Sequence, residues 1–172
     1  MLSLTHRIRT LRLSCQYNQE YMAFKMNISQ TAYSYLENKD EDKLAIRELR
    51  KIASIFEISL TDLIANLTDS EPTSIMKTDL TTSALNFVQK INKNDTYKQS
   101  ICASVKQIRE IQGITQQIMA DRMGVSLKTY RLLENQPDDL FKLGRIKQIA
   151  IVLSVPHWSV LIPEDNAELM IL

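Results

Sequence analysis

What this 172-residue sequence has little of narrows it first. Three glycines and four prolines are too few for a Pro/Gly-rich disordered or fibrous chain. Two cysteines, Cys15 and Cys102, stand far apart with no Cys or His at a metal-ligand spacing. That argues against zinc and fits a reducing compartment, with both expected to be small buried apolar residues. No run approaches the ~18 apolar residues needed to span a bilayer, and Met1 to Thr10 lacks the apolar stretch of a secretory signal. The expectation is a cytoplasmic protein with no membrane partner. Also missing is a basic excess: 21 Lys and Arg face 20 Asp and Glu, for a net charge of +1. Any affinity for a polyanion must therefore come from where the charges sit. No nucleophile constellation, glycine-rich phosphate loop or metal-ligand cluster can be assembled, so neither an enzyme nor a cofactor nor a metal is expected.

What is present is a helix-rich composition and an internal repeat. Shifted by 97 positions, residues 8 to 65 align with 105 to 162 without a gap. Identical pairs include Arg12/Arg109, Gln19/Gln116, Met22/Met119, Ala23/Ala120, Met26/Met123, Ser29/Ser126, Tyr33/Tyr130, Leu36/Leu133, Glu37/Glu134, Asn38/Asn135, Ile52/Ile149 and Ala53/Ala150. These fall where a compact helical domain needs a particular residue type. In the first copy, Ile8, Leu11 and Cys15 recur at helical spacing, as do Met22, Ala23 and Met26, then Tyr33 and Leu36, then Leu49, Ile52, Ala53 and Phe56. Four amphipathic helices follow. Asn18 and Ser29, with Thr115 and Ser126 in the second copy, suit the N-caps of the second and third helices. Ser59 suits the cap of a short fifth helix, where the second copy has Pro156. Between helices two and three stand Asn27 and Gly124, the residue types that most readily accept a positive φ.

Gln19, Ala23, Asn27, Ile28, Tyr33 and Leu36, and again Gln116, Ala120, Gly124, Val125, Tyr130 and Leu133, carry a resemblance to the Cro/cI repressor-type (Xre-like) helix-turn-helix family. The resemblance implies an all-α chain of two tandem five-helix domains, residues 1–66 and 96–172. Residues 67–95 would form a linker plus an extra helix. The polar stretch 67–82, which contains Pro72, reads as the linker; Ser83 to Asn92 resumes helical spacing, either packing on the second domain or serving dimerisation or interdomain contact.

A helix from Gln30 to Asn38 places Tyr33 and Leu36 toward the core and Gln30, Thr31, Ser34, Tyr35 and Asn38 outward. Such a stripe is either a solvated face or a surface for reading base edges. Gln30 suits adenine N6 and N7, and the Thr31 methyl suits a thymine methyl. The equivalent stripe of the second copy is Leu127, Lys128, Arg131, Leu132 and Asn135. Lys128 and Arg131 suit guanine or phosphate, whereas the two leucines, with Asp138 and Asp139 beyond them, also suit a protein partner. Family resemblance further implies that Gln19 and Gln116 bond a DNA phosphate and support a neighbouring recognition residue, and that Arg12–Glu37 and Arg109–Glu134 tie the first helix to the third. Arg7, Arg9, Lys25, Lys39 and Lys43 are candidates for an electrostatic footprint. The expected function is a sequence-specific, double-stranded DNA-binding transcriptional regulator, in the first instance a repressor. A homodimer is left open. The alternative is an antitoxin or partner-binding regulator whose second domain recognises protein.

Overall fold

The computed structural model describes residues 3–65 and 100–163. The expected linker and the extra helix at Ser83 to Asn92 lie outside these residues. The described part is helical, with no β-strand, and divides into two compact units.

The first unit runs α1 (Leu4–Ser14), α2 (Gln19–Met26), α3 (Gln30–Asn38), a 3₁₀ turn (Glu41–Lys43), α4 (Ile46–Ile55) and α5 (Leu60–Ala65). α1, α2, α3 and α5 begin where a side chain can accept an otherwise unpaired backbone N–H, whereas α4 begins at Ala45, which has no such side chain. Asn18 Oδ1 accepts from Tyr21 N at 2.7 Å, Ser29 Oγ from Ala32 N at 3.1 Å, and Ser59 Oγ from Asp62 N at 2.8 Å. The N-terminus of α1 has a second, long-range partner, because Glu41 accepts from Leu4 N at 2.7 Å.

Three helices end on left-handed residues, Gln16, Asn27 and Glu57, with φ of 58°, 57° and 55°. Behind each, the next amide reaches back over the helix end: Tyr17 N to Arg12 O, Ile28 N to Ala23 O, and Ile58 N to Ala53 O, at 2.9 to 3.1 Å. These main-chain bonds absorb terminal carbonyls and turn the chain sharply, which fixes the angle at which the following helix leaves. The core that results is formed by Leu4, Ile8, Met22, Ala23, Met26, Tyr33, Leu36, Leu49, Ile52, Ala53, Leu60 and Leu63, all buried. The inner stripe of α1 differs from the expected Ile8, Leu11 and Cys15. It runs Leu4, Ile8, Arg12, and Cys15 is exposed because it caps the helix end, beyond the last buried turn.

The second unit runs α6 (Ile101–Ile111), α7 (Gln116–Arg122), α8 (Leu127–Glu134), a 3₁₀ turn (Asp138–Leu140), α9 (Leu143–Val152) and a 3₁₀ turn (Trp158–Leu161). Thr115 and Ser126 cap α7 and α8, accepting from Ile118 N and Thr129 N. Asp138 accepts from Ile101 N at 2.9 Å. Gly113, Gly124 and Ser154 take φ of 66°, 64° and 52°, each 97 positions after its left-handed counterpart. The fifth element departs from the expected helix and closes as a 3₁₀ turn. Pro156 replaces the capping serine and has no hydroxyl, so the cap moves one residue on to His157, whose Nδ1 accepts from Ser159 N at 3.2 Å. Cys102 is half-buried, and its thiol donates to the carbonyl oxygens of Gln136 and Leu133 at 3.1 and 3.5 Å. Burial pushes that thiol up to about 11, which keeps it protonated and unreactive near neutral pH.

Each unit contains a buried ion pair. Arg12 Nε donates to Glu37 Oε1 at 2.7 Å and Nη2 to Oε2 at 3.2 Å, while Nη1 donates to Tyr17 O at 2.9 Å. Arg109 Nε likewise donates to Glu134 Oε1 at 2.8 Å and Nη1 to Ile114 O at 2.9 Å, but its Nη2 turns to Glu110 Oε1 at 3.5 Å. The Tyr33 and Tyr130 hydroxyls complete the two carboxylates, at 3.4 and 3.2 Å. With Arg12 only 7% and Glu37 only 5% exposed, deleting one partner strands the other away from water. Glu37→Ala should therefore destabilise the first unit by about 3–5 kcal/mol in denaturant unfolding; an unchanged midpoint would mean that Arg12 finds solvent. Burial pushes the Glu37 carboxyl up, but hydrogen bonds from Arg12 and Gln19 outweigh that and hold it below its ordinary value of 4.5. A carboxylate lowered in the folded state contributes stability above its ordinary value, and that stability is lost as pH falls through the folded one. Glu37→Gln should flatten the decline of melting temperature between about pH 5 and pH 3.

Candidate nucleic-acid interface

The second and third helices of each unit meet across the left-handed turn, with α2 packed on α3 and α7 on α8, while α1 and α6 pack against the third helices. Ala23 and Ala120 are buried at these crossings, and their small side chains let the helices approach. The far end of the second helix is also held. Lys51 Nζ donates to Met26 O at 3.4 Å, and Gln148 Nε2 to Met123 O at 3.1 Å. In both units the third helix is thus fixed from behind and bare in front.

On α3, Gln30, Thr31, Tyr35 and Asn38 are exposed and Ser34 is half-buried, so the structure brings the expected stripe together on one side. Tyr35 is 67% exposed. The Asn38 amide is turned back along the helix, donating to Ser34 O at 2.7 Å, and Asn135 repeats this with Arg131 O at 2.7 Å. Both retain only part of their donor capacity for a ligand. Gln30, Thr31 and Tyr35 remain as exposed polar side chains on that face.

Two expected residues sit elsewhere. Lys39, expected in the electrostatic footprint, is turned into the unit, donating to both carboxylate oxygens of Glu48 at 3.0 and 2.8 Å with its side chain only 10% exposed. Glu48 in turn accepts from Ala45 N at 2.8 Å, so the lysine supports the start of α4. Gln19, expected at a phosphate, donates its amide nitrogen to Glu37 at 2.8 Å. Gln116 does likewise to Glu134. Each glutamine is half-buried and joins the carboxylate of the ion pair. This link was missed in the sequence, although the joint recurrence of Gln19 with Glu37 as Gln116 with Glu134 was a signal for it.

The basic residues around the first unit are also partly engaged. Arg7 donates to Asp62 O at 3.0 Å, and the Lys25 ammonium stands 5.6 Å from the Tyr21 ring centroid. Arg9 and Lys43 are exposed. On α8, Lys128, Arg131 and Asn135 are exposed, Leu132 is 66% exposed and Leu127 is half-buried. These five residues line one shallow, largely apolar depression. Asp138, which follows α8 and was weighed with the leucines as suiting a protein partner, has the structural task of capping α6. Among the described residues, no group of His, Cys, Asp and Glu gathers to hold a metal, and no helix is long and apolar enough to cross a membrane.

The helix-turn-helix family model matches residues 8–63, from within α1 to within α5. Neither the curated proteins nor the solved structures gave a match. The matched segment contains the ion pair, the left-handed turn and the exposed stripe of α3. It supports a DNA-binding regulator. Since Lys39 is bound inside the unit, Lys39→Ala should lower stability by about 1 kcal/mol and leave the salt dependence of any DNA binding unchanged. A salt slope smaller by about one would instead make Lys39 a phosphate contact.

Proposed function

We propose that this chain is a sequence-specific, double-stranded DNA-binding transcriptional repressor. In this reading residues 1–66 and 96–172 are tandem helix-turn-helix domains, and residues 67–95 join them. The observation that carries the reading is the bare stripe of Gln30, Thr31 and Tyr35 on α3, held rigidly from behind by the Arg12–Glu37–Gln19 cluster, within the matched segment. Such a helix enters a major groove with its outward side chains against base edges. Short neutral donors and acceptors there discriminate bases without contributing much to affinity for random duplex.

The second domain rests on recurrence. Its ion pair, glutamine, left-handed turns and the caps of its second and third helices stand 97 positions after those of the first. Charge supports it as well: residues 100–163 hold eight Lys and Arg against five Asp and Glu, whereas residues 3–65 hold nine against eight. The second unit then contributes more phosphate attraction and the first more neutral base reading. A different reading of residues 96–172 is favoured by Leu132, Leu140 and Ile151, which are 66%, 55% and 78% exposed. Large exposed apolar residues suit a protein partner, as in an antitoxin or a partner-binding regulator. Salt separates the two, because phosphate contact weakens steeply as salt rises and apolar contact does not.

Selection of bound sequences from random duplex with the intact protein would reveal the preferred site. Against that site, Gln30→Ala and Thr31→Ala should each weaken binding by about 1–3 kcal/mol while leaving affinity for random duplex nearly unchanged. Equal losses on both duplexes would make the stripe a phosphate surface or a solvated face. Lys128→Ala should reduce affinity across all sequences and shrink the salt slope by about one. No change on any duplex would hand residues 96–172 to the partner-binding reading.

A further inference from the structure

The fifth element closes the two units with different chemistry. In the first unit Ser59 Oγ accepts from Asp62 N at 2.8 Å and lies 2.8 Å from Thr61 Oγ1, so a hydroxyl caps α5. A serine hydroxyl neither gains nor loses a proton near neutral pH. In the second unit Pro156 takes that position, and the Ser159 amide donates to His157 Nδ1 at 3.2 Å. The Ser159 hydroxyl lies 2.7 Å from the same nitrogen. Nδ1 accepts from an amide only while it carries no proton of its own, so this cap belongs to the neutral imidazole, with its hydrogen on Nε2.

Main-chain bonds run through the capped turn from Val160 N to His157 O at 3.2 Å and from Ile162 N to Ser159 O at 3.0 Å. The turn packs against α6 and buries Leu161 and Ile162. A 3₁₀ turn this short has few bonds of its own, so its cap is a large share of what defines it. A proton added at Nδ1 makes the acceptor a donor. The Ser159 amide then loses its partner, while the Ser159 hydroxyl has lone pairs to receive the new N–H. A main-chain bond is exchanged for a side-chain bond, and the start of the turn is let go.

Burial disfavours a charged ring, and Lys147 on α9 disfavours it further, so the imidazole is held below its ordinary value of 6.5. The other charged groups on the neighbouring helices are engaged elsewhere or exposed. On α9, Arg145 donates to Gln148 at 2.6 Å. On α6, Arg109 is bound to Glu134, Glu110 and Ile114 O, and Lys106 and Glu110 are exposed.

We infer that residues 157–162 are a pH-sensitive latch on the second unit: neutral His157 holds the turn closed on α6, and protonation of Nδ1 releases it. Because the folded unit favours the neutral ring, the cap contributes stability above the ordinary histidine value, and that stability is lost as pH falls through the folded one. The first unit, capped by Ser59, does not respond. Acid therefore acts on one member of a repeated pair.

The chain carries its own probe. Trp158 is its single tryptophan, and the indole and imidazole centroids are 5.0 Å apart. In the full chain, titrated from about pH 7.5 to about pH 5, Trp158 emission and its quenching by acrylamide should change together in one step, with helical circular dichroism constant. The midpoint should lie below 6.5 and coincide with that of the His157 ring protons by NMR. His157→Asn keeps an oxygen acceptor at the cap and does not titrate, so the step should vanish and the turn stay closed throughout. His157→Ala has no acceptor, and at about pH 7.5 it should already show the acrylamide quenching that the parent reaches only in acid. The same step in His157→Asn would assign it to another group and overturn the latch. Emission that changes in the parent without a rise in acrylamide quenching would mean that the imidazolium quenches the indole in place, with no release, and would overturn it equally. So would a loss of helical signal in the same step, since the unit would then be unfolding as a whole, or His157→Ala quenched no more than the parent at neutral pH.

Discussion

A guanidinium and a carboxylate removed from water together set the conditions for everything else in these units. Either charge alone would be expensive to bury, and the pair is tolerated because each remaining polar atom has a partner. Glu37 is met by Arg12, Tyr33 and Gln19; Glu134 is met by Arg109, Tyr130 and Gln116. These partners come from the first, second and third helices. The carboxylate therefore registers three helices against one another at one point, and it does so directly behind the exposed stripe. Apolar packing supplies the bulk of the burial, but it is non-directional and tolerates small slides. A directed polar junction in the core tolerates them less, since any slide lengthens several bonds at once.

Features legible in the sequence were those with a local cause. Asn18, Ser29, Thr115 and Ser126 cap helices because a short side-chain oxygen before an amphipathic run has one good use. Asn27 and Gly124 turn left-handed because few other residues do so without strain. The pairing of Arg12 with Glu37 depended on family resemblance, and the all-α character on periodicity. What could not be read were matters of reach and competition. Lys39 is drawn to Glu48, nine residues away, which no helical spacing announces. Glu41 and Asp138 cap a helix 37 residues upstream. Gln16, Glu57 and Ser154 accept left-handed backbones because the helix-ending bonds behind them outweigh their own preference. Cys15 lies one step past the last buried turn, a matter of a single residue in the boundary.

The candidate face was legible in outline and not in chemistry. Helical geometry places Gln30, Thr31 and Tyr35 outward from sequence alone, whereas the inward turn of the Asn38 amide and the capture of Gln19 are set by neighbours from other turns and helices. The same holds 97 positions later, where Arg131 gains a partner on another helix that Ser34 is too short to have. Similar scaffolds thus present one face of neutral amides and hydroxyls and another of cations beside leucines. Net charge near zero hides this division, because a sum over the chain cannot register where the charges lie.

The left-handed residues at 16, 27 and 57, and again at 113, 124 and 154, have a consequence for how freely these surfaces can change. At every one of these corners the direction of the next helix is written in main-chain bonds, and only two of the six residues are glycine. Corner geometry is thereby insulated from the identity of outward side chains. A stripe can be rewritten residue by residue while the frame that aims it stays still. Such a frame behaves like a type-holder whose letters are interchangeable: the outward residues of α3 and α8 could trade places while each holder keeps its shape.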